Sequence, residues 1–453
     1  MTRREILDEA RRLLALAWPV ALTSLQWILM NLTDTALVGR YSTAELGSMG
    51  AGRAIVWVPV VMGVGGLSGV LVFAGRADGA GERHKAGDAL RQGMMTGFVF
   101  GVVASALILA GAGAAVDQMD VAPELRGSAT AYTRLLVVGL PLQMLFSAAS
   151  FFMEGISRPR VAMTVNLASI PINALLAWVL INGRLGLPPM GAAGAALGTA
   201  LTQLGSTATL IWLVHRMPDA REYGVITPEP LVNRWRRAWR QGGELRRFAV
   251  APALAQGFEL LGFSLLMTAA AQQSAAVSGA FQAAISLHIA AMTAAAGLGS
   301  AAGVRVANAV GEGRGADARP RTLIATAMVI AFTLIFTVLY LFAAPTLLAP
   351  FSDDSDVVAL GAAMLRLIAP VTALDGAQYV FLYSLRSIGD QRAAGWISTA
   401  SFAGVMGLGG WWAAGPGGFG PLGLMGGVAV GVIVAAVALG ARFWWRSARP
   451  VAA

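Results

Sequence analysis

The chain has 453 residues, of which 56% are hydrophobic and 13% charged, and its mean hydropathy is +0.66. These values lie far from those of soluble globular domains and predict a polytopic membrane protein. The net charge of +9 does not indicate nucleic-acid binding, because the basic residues lie in short clusters between apolar runs and form no continuous basic face. The absence of cysteine excludes disulfides, thiolate catalysis and cysteine-ligated metals.

Twelve apolar runs are long enough to cross a bilayer, which takes about 20 residues. They lie at about 13–39, 46–75, 91–116, 130–152, 160–182, 190–214, 248–271, 277–308, 321–349, 357–384, 394–413 and 419–444. The first run continues past 20 residues with no small-residue cleavage site, so we expect a retained helix rather than a signal peptide. The predicted fold class is an all-α polytopic membrane protein of twelve transmembrane helices, in two pseudo-symmetric six-helix lobes around a central cleft.

The basic residues predict the orientation of these helices. Of the 33 lysines and arginines, 27 fall at the two termini and in the connections after helices 2, 4, 6, 8 and 10. Because basic residues are retained in cytoplasmic loops, both termini are expected to be cytoplasmic.

The two halves of the chain resemble each other. Gly81-Glu82 and Gly311-Glu312 are 230 residues apart in similar segments, and Pro19 and Pro252 lie 233 apart in the first helix of each half. Six helices per half give a parallel repeat, whose axis runs along the membrane normal. We therefore predict an N-terminal lobe at 1–214, a cytoplasmic linker at 215–247 and a C-terminal lobe at 248–453.

Three acidic residues lie inside or at the end of apolar runs, where a carboxylate is costly and commonly functional. They are Asp34, Glu259 and Asp375. Each carboxylate can exchange a bound proton for a cation, which is the elementary step of an antiporter. The alternative is that these acids pair with buried arginines or cap kinked helices. They are not duplicated by the repeat, since an offset of about 230 pairs Asp375 with Leu145.

Amide and hydroxyl side chains accompany these acids. Asn166, Ser169 and Asn173 share one face of helix 5 and could hydrogen-bond Asp34. Gln256, Gln282 and Gln378 are similar polar positions in the second half. All are candidate substrate or accessory residues, and the alternative is that they hold neighbouring helices together.

Other polar features favour structural roles. His288 is the only histidine well inside a predicted helix, and a packing hydrogen bond is favoured there over a proton relay. An acidic cluster at 353–356 is expected to cap helix 10 rather than to bind a metal.

With these residues in view, the chain resembles the multidrug and toxic compound extrusion (MATE) transporters over essentially its whole length. The resemblance rests on Asp34 in Asp-Thr-Ala-Leu-Val-Gly-Arg and on the Gly-Glu loops at 81–82 and 311–313. Glu259 and Asp375 match the acid pair of the NorM-like branch, although Val371 and Phe281 depart from residues common there.

The resemblance implies efflux of drugs driven by inward movement of Na⁺ or H⁺. It further implies a first-lobe cation or proton site at Asp34 and Asn173, and a second-lobe cation site at Glu259 and Asp375, with Na⁺ a candidate at the latter. No other metal and no cofactor are expected.

We interpret the chain as a secondary transporter of the bacterial cytoplasmic (inner) membrane that exchanges lipophilic organic cations for H⁺ or Na⁺. Its expected partners are the lipid bilayer and cationic drugs or dyes, and a monomer is expected. A lipid-linked oligosaccharide flippase is the alternative, for which cleft arginines would be needed and only Arg53 and Arg366 are available. An intramembrane enzyme is disfavoured, because no paired Asp motif, Ser/His pair or set of zinc ligands is arranged within the apolar runs.

Overall fold

The structure is a computed structural model that describes residues 2–119, 122–226 and 228–449, and within these ranges the chain is helical with no strand. The helices of the first half are α1 (Arg3–Tyr41), α2 (Thr43–Gly79), α3 (Arg83–Asp117), α4 (Arg126–Val138), α5 (Leu140–Gly155), α6 (Pro159–Asn182), α7 (Gly191–His215) and α8 (Leu231–Gln241). The helices of the second half are α9 (Gly243–Gln273), α10 (Ala275–Gly311), α11 (Ala318–Phe342), α12 (Ala344–Leu348), α13 (Ser355–Ile368), α14 (Thr372–Ser387), α15 (Gln391–Thr399), α16 (Gly410–Ala414) and α17 (Pro421–Arg446). The predicted all-α class is confirmed.

Eleven helical segments in the described ranges are long and apolar enough to cross a membrane. The twelfth predicted span corresponds to α15, a π-helix at Ala400–Gly409 and α16, which together form one helical stretch. Two other spans are each built from two helices: α4 and α5 meet at Gly139, and α13 and α14 are joined by the short 3-10 segment Ala369–Val371. Pro141 follows the first break and Pro370 lies within the second, and a proline nitrogen has no hydrogen to donate to a helical hydrogen-bond ladder.

The chain divides into two compact units. The first-half unit is formed by Leu22–Asp78 and Glu82–Ala253, and the second-half unit by Met1–Ala21, Gly79–Gly81 and Leu254–Ala453. Helix α1 passes from one unit to the other at Leu22. The lobe and linker boundaries derived from the sequence stay predictions.

Helix ends repeat at a fixed spacing of 232 residues. At the end of α2, the Glu82 N–H donates to the Ala77 carbonyl at 2.8 Å, and at the end of α10 the Arg314 N–H donates to the Ala309 carbonyl at 2.8 Å. The same bond closes α5 (Arg158 to Met153, 2.7 Å) and α14 (Asp390 to Leu385, 2.9 Å). In each case the residue before the donor has a positive φ, as this helix-ending motif requires. Those residues are Gly81, Ser157, Gly313 and Gly389.

This spacing corrects the pairing derived from the sequence. The structural offset aligns Glu82 with Arg314, not with Glu312, so the two Gly-Glu pairs are similar in sequence but not equivalent in position. It also aligns Asp375 with Gln143 in place of Leu145.

The N-terminal segment also differs from the prediction. Helix α1 begins at Arg3, ten residues before the predicted start, and Glu9 is buried at 5% exposure. The Nε and Nη2 atoms of Arg305 in α10 donate to the two carboxylate oxygens of Glu9 at 2.7 and 2.6 Å. Arg321 in α11 donates to the Arg305 carbonyl at 2.6 Å and is 4% exposed. The count of basic residues assigns Arg305 and Arg321 to the connection after helix 8; both are buried in helices, because Glu9 and the Arg305 carbonyl provide their partners.

Candidate functional site

Asp34 is buried in the first-half unit, at 5% exposure, and is held by two donors. Asn173 Nδ2 in α6 donates to Asp34 Oδ1 at 2.7 Å, and Thr199 Oγ1 in α7 donates to Asp34 Oδ2 at 3.1 Å. The predicted neighbourhood of Asp34 and Asn173 is therefore present. Asn173 Oδ1 is buried and has no hydrogen-bond partner in the described part of the chain.

A second polar cluster lies beside this carboxylate. Gln26 Nε2 in α1 donates to Ser169 Oγ at 3.2 Å and also contacts the Met30 sulfur. The Ser169 hydroxyl donates to the Asn166 carbonyl at 2.6 Å, one turn back in α6. Of the three polar residues predicted to share one face of α6, Asn173 bonds Asp34 and Ser169 bonds Gln26, both in α1, whereas Asn166 contributes only its backbone carbonyl to this cluster.

A pocket opens from Asp34 within the first-half unit and encloses about 930 Å³ of empty space, its open mouth included. Its apolar wall is mostly aromatic and branched. This wall comprises Trp27, Met30, Val56, Trp57, Val60, Leu136, Leu140 and Phe146. Among the described lining residues, Asp34 is the one acid and Arg53 the one base.

The α7 side of the pocket was missed at the sequence level. Thr199, Thr202, Gln203 and Ser206 all line it. Their spacing of i, i+3, i+4 and i+7 places them on one helical face, and that polar stripe in an otherwise apolar run was the available signal. Thr199 is the member that bonds Asp34.

The second-half unit holds Asp375 in α14, 6% exposed. His288 Nε2 in α10 lies 2.8 Å from Asp375 Oδ2, and Gln378 Nε2 donates to Asp375 Oδ1 at 3.3 Å. His288 therefore makes the helix-to-helix hydrogen bond that the sequence favoured, but its partner is one of the three candidate acids. That partner could not be identified from a single histidine in an apolar run.

Glu259 in α9 is half-buried and accepts a hydrogen bond from Gln256 Nε2 at 3.0 Å. Glu259 shares the second-half unit with Asp375 and with the buried Arg386 of α14. The predicted spans place Arg386 in the connection after residue 384; it lies in the last turn of α14 at 4% exposure.

The π-helix packs directly on α9 beside Glu259. A Cβ atom on Gly262, one turn after Glu259, would lie 2.4 Å from the Phe402 carbonyl oxygen, and one on Gly407 would lie 2.8 Å from the Gly262 Cα. Only glycine allows this approach, and π-helical turns are frequent at functional sites.

Two candidates lie apart from these sites. Gln282 is exposed and its amide donates to Ser286 in the next turn of α10, at 3.2 Å. The acidic cluster at 353–356 starts α13, where the Asp354 carboxylate accepts the Asp356 N–H at 2.9 Å. The capping role expected of this cluster is confirmed.

Comparison with known proteins bears on this pair of buried acidic sites. The MatE family model matches residues 19–179 and 253–411, one copy in each half of the chain. The chain belongs to the MatE family. Each match contains one set of the acids described above, Asp34 in the first and Glu259 with Asp375 in the second.

MatE relatives extend over nearly the whole chain. A probable multidrug resistance protein NorM of Caulobacter vibrioides is 29% identical over 440 residues, which is 95% of this chain and 90% of that protein. A probable multidrug resistance protein NorM of Bradyrhizobium diazoefficiens is 28% identical over 397 residues, 86% of this chain and 83% of that protein. The multidrug resistance protein NorM of Photobacterium profundum is 26% identical over 452 residues, 96% and 95% of the two chains.

Solved structures show the same fold. The Vibrio cholerae MATE transporter VcmN superposes with a TM-score of 0.86 at 16% identity, covering 98% of each chain. The eukaryotic MATE transporter AtDTX14 gives 0.83 at 20% identity, again over 98% of each. The chain therefore has the MATE transporter fold. As a member of the MatE family with eleven candidate membrane spans in its described residues, it is a multi-pass membrane transporter.

Proposed function

We propose that this MatE protein exports lipophilic organic cations in exchange for H⁺ or Na⁺. The observation that carries the proposal is the pocket of the first-half unit, in which one buried carboxylate, Asp34, opens onto an aromatic and aliphatic wall. Two relatives are named as probable multidrug resistance proteins NorM, and this name supports a role in drug export.

The chemistry of this pocket suits an organic cation. A carboxylate in a site of low dielectric attracts a positive charge strongly, and the faces of Trp27 and Trp57 offer further attraction to a cation. The edge-to-face packing of these two rings, 5.3 Å between centroids, fixes their positions. Apolar walls accept varied hydrocarbon shapes, because the hydrophobic effect has no directional requirement.

Exchange follows from the single charge of Asp34. Asn173 and Thr199 stabilise the ionised carboxylate, and a proton, Na⁺ or an organic cation can each satisfy it. Two cations at once would leave a net charge buried in an apolar site, which is costly. Binding of the coupling ion and of the organic cation at Asp34 is therefore mutually exclusive, and the coupling is reciprocal.

The second-half unit supplies the other ion site in this proposal. Glu259 and Asp375 present carboxylate oxygens, and Gln378 Oε1 is buried without a hydrogen-bond partner among the described residues. Oxygen ligands of this kind suit a hard cation such as Na⁺. His288 is a positioning residue here, since its bond holds the Asp375 carboxylate in one orientation.

The proposed setting is the bacterial cytoplasmic membrane, with both termini in the cytoplasm and a monomer as the working unit. The basic residues in the connections after α2, α5, α7, α10 and α14 support this orientation. The flippase alternative rests on Arg53, whose guanidinium could bind a pyrophosphate in the same pocket.

Binding of tetraphenylphosphonium to the purified full-length protein tests the proposal. We expect binding that weakens as H⁺ or Na⁺ rises, and a loss of about thirtyfold or more in Asp34→Asn, because removing one partner of a buried charge pair costs about 2 to 5 kcal/mol. Thr199→Val should have a smaller effect, and Ser264→Ala, at an exposed position of α9, none. Unchanged binding by a folded Asp34→Asn would overturn the assignment, whereas competition by undecaprenyl pyrophosphate that depends on Arg53 would favour the flippase.

A further inference from the structure

Helix α8 lies between the connection after α7 and the spanning helix α9, and a single residue, Gly242, separates it from α9. The Gly242 N–H donates to the Ala238 carbonyl at 2.9 Å, and a Cβ on Gly242 would lie 2.8 Å from that oxygen. Helix α9 is one of the segments long and apolar enough to cross a membrane, so we expect α8, which directly precedes its polar first turn, to lie near the membrane surface.

One side of α8 is fixed to the first-half unit. Ala238 is 6% exposed, and Arg234 Nη2 donates to the Val225 carbonyl at 3.0 Å. Trp235 packs edge to face on Phe98 of α3, with 5.4 Å between ring centroids. Phe98 follows the polar start of α3 and lies in its apolar run, so the contact holds α8 at the level where that run begins.

Another face of α8 forms an open trough with α3. It is lined by Met95, Val232, Trp235, Arg236, Trp239 and Arg240. The five α8 residues recur at i, i+3, i+4, i+7 and i+8, which places apolar and aromatic surface beside two arginines one turn apart. Val232 is 64% exposed and Trp239 39%, so this surface is uncovered within the chain.

The two arginines of the trough have no ion-pair partner among the residues that the structure describes, unlike Arg237, which pairs with Glu229. They belong to a strongly basic stretch. It contains Arg234, Arg236, Arg237, Arg240, Arg246 and Arg247, with Glu244 as its one acid. A tryptophan at the interface, an exposed apolar strip and free arginines are the features of helices that bind anionic membrane surfaces.

We propose that the trough between α3 and α8 binds an anionic phospholipid of the adjoining leaflet. The lipid phosphate lies between the guanidinium groups of Arg236 and Arg240, and an acyl chain lies over Met95, Val232 and Trp239. Charge favours this occupant, because basic residues next to a membrane-spanning helix attract anionic lipid headgroups and Arg236 and Arg240 offer two such charges one turn apart. The site lies outside the Asp34 pocket and does not depend on what the transporter carries.

The test is lipid retention by the purified full-length protein in nanodiscs of phosphatidylcholine with added phosphatidylglycerol, counted by native mass spectrometry. Both leaflets have the same composition, so the result depends neither on sidedness nor on transport. Replacing Arg236→Gln and Arg240→Gln together is expected to weaken the preference for phosphatidylglycerol by about thirtyfold, at about 1 kcal/mol per arginine. Replacing both by lysine should retain most of it.

The matched control removes the same charge at two exposed N-terminal arginines, Arg3→Gln with Arg4→Gln, and should leave lipid retention unchanged. Thermal melting verifies that each variant is folded. An equal loss of phosphatidylglycerol preference in the control would show that the effect is general charge attraction, and it would overturn the proposed site. An unchanged lipid preference in the variant carrying Arg236→Gln and Arg240→Gln would also overturn the site. A change of oligomeric state in that variant alone would instead assign the trough to a second copy of the chain.

Discussion

His288 Nε2 lies 2.8 Å from Asp375 Oδ2, and both side chains are buried in the second-half unit. The bond joins α10 to α14, and the other ring nitrogen of His288 has no partner in the described part of the chain. Asp375 thus has its orientation set by a neighbouring helix rather than by its own helix alone.

His288→Leu removes this donor at similar volume. We expect ion-driven transport to fall about tenfold or more, because a hydrogen bond to a charged group is worth about 1.5 to 3 kcal/mol. The dependence of transport on H⁺ or Na⁺ concentration in vesicles measures the effect, and His288→Gln, which keeps a donor, should restore part of it. The control is Gln282→Leu, an exposed position of the same helix. An ion dependence in His288→Leu equal to wild type would rule out the positioning role.

The pair Glu9 and Arg305 predicts a stability effect. Glu9→Gln leaves the buried Arg305 guanidinium without its countercharge, and such losses cost about 3 to 5 kcal/mol. We expect a lower melting temperature in detergent. The adjacent Asp8→Asn breaks an exposed pair of 3.8 Å with Arg11 and should cost less than about 1 kcal/mol. Equal melting of the two variants would contradict the account.

Ser157 has a φ of +62°, and the residue at the equivalent position in the second half is a glycine, Gly389. A side chain other than glycine is strained in this region, so Ser157→Gly should stabilise the protein by about 0.5 to 1 kcal/mol. Ser264→Gly, in the middle of α9, should destabilise it by a similar amount. Thermal melting of both variants gives the comparison, and opposite signs are the expected result.

The ion pair of Asp219 with Arg158, which lies outside the membrane-spanning segments, is expected to make the stability of the protein depend on pH. Arg158 donates to both of its carboxylate oxygens at 2.7 and 2.6 Å, and these hydrogen bonds hold the pKa of Asp219 below its ordinary value. A lowered pKa contributes stability above the unfolded value of about 3.9, and that stability is lost as pH falls through the folded pKa.

Asp219→Asn should therefore melt lower than wild type from pH 5 to pH 8, and the difference should shrink only in more acidic solution. Asp117→Asn, which breaks an exposed pair with Arg126, should show little difference at any pH. A difference for Asp219→Asn that grows on acidification would have the wrong sign.

Most of the fold follows from the length and position of the apolar runs, since these report directly on which segments can cross a bilayer. The irregular parts do not. The π-helix at Ala400–Gly409 depends on close contact with α9, and the breaks at Gly139 and Ala369–Val371 depend on packing around a proline, so neither could be placed from apolar runs alone.

The candidate site was predictable where the residue type is costly in an apolar helix. Asp34, Glu259 and Asp375 stand out for that reason, and Asn173 follows from its helical face. Thr199 and His288 do not, because hydroxyls and single histidines are common in packed helices and only tertiary structure shows what they bond. Likewise, nothing local distinguishes Arg305 from an exposed cytoplasmic arginine before Glu9 is brought to it.

The central claim is that Asp34 binds the exported cation in exchange for the coupling ion, with Glu259 and Asp375 as the second ion site. Dye efflux from vesicles, with a pH gradient and a Na⁺ gradient imposed separately and no other source of energy, tests it most directly. We predict efflux by wild type in response to at least one gradient, none by a folded and inserted Asp34→Asn, and a lost or weakened response in Glu259→Gln. Gradient-driven efflux by Asp34→Asn at the wild-type rate would contradict the account.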